Sequence, residues 1–185
     1  MPARRVRTFE EPTVIDLTPS DKISERDKLI LKTLLRNSKT TTTEIASKLN
    51  ISDVATRRRI KKLEEDGVIV FYTTVLDPKK LGFNVTAILL IETTPSQVDE
   101  VAETLAKIPY VIELGTLLGD ASVYALVWAK DLEDLERIVK EEIGKIGAIK
   151  KIHTYLVAKK YKVNSLRLRE NGLVQNDGGE EARPP

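Results

Sequence analysis

Five basic residues fall within six consecutive positions of this chain: Arg57, Arg58, Arg59, Lys61 and Lys62. An arginine guanidinium can pair with two acceptors on a base or a phosphate, whereas a lysine ammonium binds phosphate as a point charge. Such a run is either a solvated basic face or a surface that binds nucleic acid. The elements that surround the run decide between these two interpretations.

Two predicted helices precede the basic run. The first spans Ser24 to Arg36, with Ser24 as its N-cap, and carries an apolar stripe at helical spacing. The second begins after Thr41, because Thr41 and Glu44 have the spacing of a capping box. Asn50 suits the tight turn that follows, since asparagine tolerates left-handed backbone. These signals predict two short helices joined by a turn to a third.

The third predicted helix begins after Ser52 and ends before Gly67. At 100° per residue, one side is anchored by Thr56, Ile60 and Leu63. The opposite side presents Val54, Arg57, Arg58 and Lys61, with Lys62 at its edge. Its basic residues come early and its acidic residues late, so its N-terminal half suits an approach to phosphates.

This arrangement predicts a helix that enters the major groove of DNA. Arg57 and Arg58 are candidates for pairing with guanine, and Lys61 and Lys62 for binding phosphates. Arg59 lies beside the apolar side, where it would pack or pair internally instead. The candidate DNA-binding residues are Thr42, Thr43, Ser52, Asp53, Val54, Arg57, Arg58, Lys61 and Lys62. Capping of the second helix explains Thr42 and Thr43 equally well.

Charge and composition restrict the class of protein. The 185 residues carry a net charge of only +2, but segment 23–68 holds 11 Lys/Arg against 7 Asp/Glu, and segment 69–162 holds 12 against 13. Basic charge therefore collects in the first half, where a DNA footprint would need it. The absence of cysteine excludes disulfides and thiolate chemistry. No apolar run reaches about 18 residues, so we expect a cytoplasmic protein with no membrane partner.

The second half has a different pattern. Residues 68–77 are rich in β-branched and aromatic types and predict a strand, and the Asp-Pro-Lys-Lys-Leu-Gly stretch predicts a hinge over 77–83. The order that follows is strand, helix, strand, strand, helix, strand, the ferredoxin-like βαββαβ pattern, over about 84–94, 96–107, 110–118, 122–130, 131–144 and 148–161. Helices on one face of such a sheet leave the other face to a second subunit.

Several fragments, taken in order, resemble the Lrp/AsnC (feast/famine) family of transcription regulators over roughly residues 23–162. They are TEIASKLNIS, RRRIKKLEEDGVI, LDPKKLG, LLGD at 117–120 and IKKIHTYLVAKKYK at 149–162. The resemblance implies an α+β protein with an N-terminal winged helix-turn-helix domain and a C-terminal ferredoxin-like effector and oligomerisation domain. The predicted segments are a flexible arm 1–22, DNA-binding domain 23–76, hinge 77–83, effector domain 84–162 and disordered tail 163–185.

The resemblance also implies partners. Family members dimerise through the C-terminal sheets, often assemble into tetramers or octamers, and many bind an amino acid near the loop that matches Gly119 and Asp120. The family often continues with an aromatic residue and a second aspartate, where this chain has alanine and serine. An ordinary hairpin turn is the alternative explanation of the loop. The candidate effector-binding residues are Leu118, Gly119, Asp120, Ala121, Ser122 and Thr154.

The leading hypothesis is a sequence-specific DNA-binding regulator that reads a near-palindromic operator on double-stranded DNA as a homodimer. We expect no cofactor, metal or catalytic residue, since His153 is the only histidine and has no cysteine beside it. One rival is an enzyme, because some two-domain proteins of this type decarboxylate sirohaem. Such an enzyme needs several basic or histidine residues in the C-terminal pocket. A third hypothesis is an effector-binding oligomer without DNA binding.

Overall fold

The computed structural model describes residues 23–163 and 166–167. The chain divides into two compact units: the second spans Leu76–Lys159, and the first contains the residues up to Val75 together with those from Lys160 onward. The division lies just before the predicted hinge. The predicted arm 1–22, and residues 164–165 and 168–185 of the predicted tail, lie outside the described residues.

The first unit contains three helices, α1 (Glu25–Arg36), α2 (Thr42–Leu49) and α3 (Asp53–Glu65). The three predicted N-caps are confirmed, because the side chains of Ser24, Thr41 and Ser52 each accept a backbone N–H of the first turn. Thr41 and Glu44 complete the predicted capping box. The helices enclose a small core built on the buried side chains of Ile30, Ile45 and Leu63.

Left-handed residues end α2 and α3 as predicted. Asn50 has φ 51° and ψ 46°, which turns the chain sharply between α2 and α3. Gly67 has φ 69°, the Gly67 N–H donates to the Glu64 carbonyl (3.0 Å) and the Val68 N–H donates to the Leu63 carbonyl (2.9 Å). This pair of hydrogen bonds is a Schellman motif, which satisfies the last carbonyls of α3.

The predicted strand over 68–77 is wrong for the single chain, because the structure forms no strand there. A strand needs a neighbour to pair its backbone groups, and no described strand runs alongside this segment. Ile69 packs against the core of the first unit, but the other apolar side chains are exposed, with Val70 at 79% and Phe71 at 73%. The Tyr72 hydroxyl donates a hydrogen bond to Glu64 Oε1 (2.7 Å), which links the segment to α3. A 3₁₀-helix, Pro78–Leu81, then occupies the predicted hinge.

The second unit is a ferredoxin-like βαββαβ fold, as predicted. Its elements are β1 (Val85–Thr93), a 3₁₀ turn Pro95–Gln97 leading into α4 (Val98–Leu105), β2 (Val111–Thr116), β3 (Val123–Ala129), α5 (Leu132–Arg137) continuing as a π-helix Ile138–Ile143, and β4 (Ile149–Leu156). The antiparallel sheet has the order β2-β3-β1-β4. Two short strands, β5 (Lys162–Val163) and β6 (Leu166–Arg167), pair beyond it.

β4 ends five residues before its predicted limit at 161. It runs antiparallel to β1, so its C-terminal end pairs with the start of β1, where Leu156 lies opposite Ala87. Because β1 begins only two residues earlier, at Val85, it could pair with at most two further residues of β4. The two paired strands β5 and β6 include residues 163, 166 and 167, which belong to the segment that we expected to be a disordered tail.

The core of the second unit lies between the sheet and its two helices. Alternate residues of β1 and β3, among them Leu89 and Val127, are fully buried against Val101, Leu105 and Ile138. The other face has no helix over it within the described residues. We call it the open face, and define it by Ile88, Leu90, Glu92, Tyr124, Leu126, Trp128, Lys151, His153 and Tyr155. Among the described residues, no helix has the length and apolar character needed to cross a membrane.

Candidate nucleic-acid interface

The two predicted sides of α3 are confirmed by burial. Thr56 and Leu63 are buried, and Ile60 packs against the same core. On the opposite side Val54 is 76% exposed. The basic residues Arg57, Arg58, Lys61 and Lys62 are exposed beside it. The α3 helix therefore presents one continuous basic face with an apolar side chain at its N-terminal end.

Asp53 connects the start of α3 to the start of α2. Its Oδ2 lies 2.8 Å from Arg57 Nε, and its Oδ1 accepts a hydrogen bond from Thr43 Oγ1 at 3.3 Å. A hydrogen bond from the Thr42 side chain holds the pKa of the Asp53 carboxyl below its usual value, and the Arg57 charge adds to this while burial opposes it. Four of the predicted DNA-binding residues thus form a single polar cluster.

The other predicted residues of α3 differ in how they are held. Lys61 Nζ lies 3.3 Å from Glu65 Oε1 in an exposed i,i+4 pair. Arg58 and Lys62 have no ion pair or hydrogen bond among the described residues. Ser52 uses its hydroxyl to cap the helix, accepting from the Ala55 N–H at 3.1 Å. Arg58 is therefore the arginine of this face whose donors remain available.

Arg59 pairs internally, as its place beside the apolar side indicated. Its Nη1 donates to Asp27 Oδ1 at 2.9 Å, which joins α3 to α1 across 32 positions of sequence. Burial alone would raise the pKa of Asp27, but hydrogen bonds from Ser24 and Arg59 and the Arg59 charge outweigh it, so the pKa is lowered. The ion pair fixes the helix that carries the basic face.

Replacing Arg59 by alanine is expected to lower the free energy of unfolding of the first unit by about 1–2 kcal/mol, since Asp27 loses a charged partner that solvent screens only in part. Because the folded pKa of Asp27 is depressed, this stabilisation is present above the unfolded pKa of about 3.9 and is lost as pH falls through the folded value. Hydrogen exchange of the α1–α3 amides, measured from about pH 7 to pH 3, tests both effects. Arg58→Ala is the control, and an equal loss in both variants would contradict the assignment.

The predicted effector loop joins β2 to β3. The Leu117 N–H donates to the Ser122 carbonyl (2.8 Å), which closes the loop. Leu118 is fully exposed at its tip, and Gly119 and Asp120 are exposed beside it. The Ser122 hydroxyl lies 3.3 Å from the Thr93 carbonyl oxygen and donates to it, so it serves the sheet.

The structure does not bring Thr154 to this loop within one chain. Thr154 lies opposite Leu89, whose side chain is on the helix-covered face of the sheet. The loop leads into β3, and β1 separates β3 from β4. At about 4.8 Å between neighbouring strands, β4 lies about 10 Å from β3. A shared effector site would therefore need Thr154 and the loop to meet across a subunit interface, and this remains a prediction.

A charged cluster on the open face was not predicted. His153 Nε2 lies 2.9 Å from Glu92 Oε1, and Lys151 Nζ lies 3.9 Å from the same oxygen. Alternate side chains of β4 and of β1 lie on the same face of the sheet, which was the signal available for this cluster. Using that signal requires the register between the two strands, which the sequence does not give. No group of three or more His, Asp or Glu suited to a metal ion occurs among the residues that the structure describes.

Comparison with known proteins decides the family. The family model for a winged helix-turn-helix DNA-binding domain matches residues 23–70, and that for the Lrp/AsnC ligand binding domain matches residues 86–166. The transcriptional regulator LrpA of Pyrococcus horikoshii is 44% identical over 140 residues, which cover 76% of this chain and 99% of the relative. This chain belongs to the Lrp/AsnC family. The regulator FL11 of the same organism is 32% identical, covering 76% of this chain and 92% of the relative.

Solved structures of this family share the fold. AsnC of E. coli superposes with a TM-score of 0.71 at 22% identity, covering 76% of this chain and 95% of that one. A transcriptional regulator of Neisseria meningitidis in complex with L-Met superposes with a TM-score of 0.72 at 21% identity, covering 82% and 99%. At these identities the structures establish the fold alone. The predicted α+β architecture is confirmed.

As a member of the Lrp/AsnC family, this protein is a DNA-binding transcriptional regulator. The named relatives are regulators and not enzymes, which sets aside the sirohaem decarboxylase hypothesis. The same relatives disfavour the oligomer without DNA binding.

Proposed function

We propose that this protein reads a near-palindromic operator as a symmetric homodimer, with α3 of each subunit in the major groove, and that an amino acid modulates the binding. The observation that carries the proposal is the exposed basic face of α3. On this face Arg58 has no ion pair among the described residues, so no internal contact has to break before Arg58 meets DNA.

The order of residues along α3 supports a division of roles. Val54 is 76% exposed near the N-terminal end, where base edges are reached, and its methyl groups suit the thymine methyl. Arg57 and Arg58 follow about one turn later and suit the O6 and N7 acceptors of guanine. Lys61 and Lys62 lie further along and bind backbone phosphates. Among these side chains Asp53 contacts Arg57, and Thr43 donates a hydrogen bond to Asp53.

The open face supports the homodimer. Ile88 lies at its centre with Leu126 on one side and Tyr155 on the other, and Ile88 and Tyr155 are 38% and 54% exposed. A sheet face with an exposed apolar centre of this kind is suited to burial by a partner. A two-fold dimer would present two α3 helices to half-sites one helical turn apart, about 34 Å, or a multiple of that. Tetramers and octamers would add further interfaces to this dimer.

The loop between β2 and β3 supports an amino-acid effector. Asp120 is an exposed carboxylate that can accept hydrogen bonds from an ammonium, and Gly119 has open space around it. Two solved structures with a similar fold, from Neisseria meningitidis and M. tuberculosis, are complexes with L-methionine. They support an amino acid as the class of ligand. The Ser122 hydroxyl is bonded to the sheet, so Leu118, Ala121 and backbone groups form the rest of the proposed loop contact.

Asp120→Asn is expected to weaken binding of the amino acid about tenfold, because a charge-assisted hydrogen bond to the ammonium is replaced by a neutral one. Isothermal titration with a panel of amino acids measures the change. Glu133→Gln, which removes another exposed carboxylate of the same unit, should leave the affinity unchanged. Equal affinity of wild type and Asp120→Asn would contradict the ammonium contact.

Selection of bound fragments from a random pool of duplex DNA tests the whole proposal. We expect enrichment of a near-palindromic sequence whose half-sites repeat at about one helical turn or a multiple of it. Repeating the selection with each amino acid should change the yield or the half-site spacing for the true effector, since an effector acts by its different affinity for two states. Recovery of no common sequence would overturn sequence-specific reading and favour an effector-binding oligomer.

A further inference from the structure

We propose that Asp53 is a positioning residue of the DNA-reading helix, which fixes the Arg57 guanidinium for its contact with a base and so sets sequence discrimination more than affinity. This inference rests on the proposed function, in which α3 reads operator bases. It assigns Asp53 a role different from direct base contact.

Both oxygens of the Asp53 carboxylate are already bonded. Oδ2 lies 2.8 Å from Arg57 Nε, and Oδ1 accepts from Thr43 Oγ1 at 3.3 Å. Thr43 belongs to α2, so the plane of the carboxylate is set by two different helices. Asp53 is also the first residue of α3, where the helix dipole favours a negative charge. A carboxylate held in this way is a fixed support for the arginine one turn further on.

The contact leaves the reading edge of Arg57 available. A guanidinium has five N–H donors, and Asp53 engages only the Nε edge. The two terminal nitrogens keep the parallel donors that match O6 and N7 of guanine. The side chain of Arg57 remains 69% exposed. Its orientation is therefore set before DNA arrives, which avoids part of the entropy lost when a long side chain is immobilised on binding.

The charge of the pair explains why discrimination is affected more than affinity. Asp53 and Arg57 together carry no net charge, so the pair adds little to the attraction of phosphates, which is common to all sequences. Arg58, one position along, has no ion pair within the described part of the chain. An acidic group beside the reading arginine lowers the affinity for DNA that lacks the matching base more than for DNA that has it.

The same helix contains a matched control. Lys61 and Glu65 form an exposed i,i+4 pair at the C-terminal end of α3, with Lys61 Nζ 3.3 Å from Glu65 Oε1. Glu65→Gln removes one negative charge and one i,i+4 ion pair, as Asp53→Asn does. Glu65 does not contact Arg57, so the two substitutions differ in the positioning of that arginine.

The experiment measures dissociation constants of the full chain for the duplex obtained by selection and for a scrambled duplex. Asp53→Asn is expected to lower the ratio of the two affinities about 3- to 10-fold, the fold-change that corresponds to freeing one long side chain. Scrambled DNA should bind as tightly as before or more tightly. The salt slope, which is the slope of log affinity against log salt concentration, should be steeper by up to about one. Glu65→Gln should keep the ratio within about twofold of wild type. In an Arg57→Ala background, Asp53→Asn should change the ratio no further.

An unchanged ratio for Asp53→Asn would overturn the positioning role. A loss of equal size in the Arg57→Ala background would also overturn it, because Asp53 would then contact a base itself. Thr43→Val gives a second test that leaves the charge intact, with a smaller loss of discrimination and an unchanged salt slope expected. If wild type binds both duplexes equally, the proposed function fails together with this inference. If wild type discriminates and Asp53→Asn discriminates equally, only the inference fails.

Discussion

Replacing Arg58 by alanine is expected to weaken operator binding about 10- to 100-fold and to relax base preference at one position of each half-site. Arg58 is exposed on the basic face of α3 and has no ion pair among the described residues. Its removal would therefore take away the proposed base contact without breaking an ion pair within the described residues. Fluorescence anisotropy with the selected duplex and its single-base variants measures both effects.

Lys62→Ala is the matched comparison for Arg58→Ala. Lys62 lies on the same helix and is equally free of partners among the described residues, but an ammonium favours phosphate. We expect Lys62→Ala to lower affinity for every duplex alike and to reduce the salt slope by about one unit. If the binding isotherms of Arg58→Ala and wild type coincide on all duplexes, α3 does not read bases through this residue.

Replacing Ile88 by glutamate is expected to dissociate the dimer, so that the variant sediments as a monomer at about 10 µM protein. Ile88 lies at the centre of the open face, between Leu126 and Tyr155. A carboxylate there would have to be buried without a partner when two open faces meet, which costs several kcal/mol. Sedimentation velocity measures the change.

Leu132→Glu is the control for the Ile88 substitution. Leu132 is 59% exposed at the start of α5, so the same change of side chain occurs on a comparable surface away from the open face. The control should sediment as wild type does. Operator binding should weaken in Ile88→Glu and not in Leu132→Glu, because a monomer binds only one half-site. If Ile88→Glu sediments as wild type does, the open face is not the dimer interface.

The local features of the first unit were predictable because each depends on atoms within a few residues. Ser24 and Ser52 cap helices through the backbone N–H three positions ahead. Asn50 and Gly67 adopt left-handed backbone where a helix ends, which is a property of the residue types. The sides of α3 followed from the 3.6-residue period alone. The three helices of the first unit could therefore be predicted without information from distant parts of the chain.

The strand predicted over 68–77 shows why propensity was insufficient. Residue types such as those at Val70 and Phe71 favour a strand, yet a strand forms only where a neighbour supplies ladder hydrogen bonds. Thr154 shows the same limit for side chains. Its face of the sheet is set by its register with Leu89, and a shift of one residue would reverse it.

The sequence by itself determined the three N-terminal helices, the order of the βαββαβ elements and the basic face of α3, since caps and periodicity act over one or two turns of helix. Only the tertiary structure decided how those residues are used. Asp53 meets Thr43 and Arg57, and Arg59 meets Asp27 across 32 positions, because packing brings α1, α2 and α3 together. The physical reason is range: a cap is fixed by the local backbone, whereas an ion pair between helices exists only once the core has set their distance. That difference separates Arg58, which has no ion pair in the described ranges, from Arg59, which joins α3 to α1.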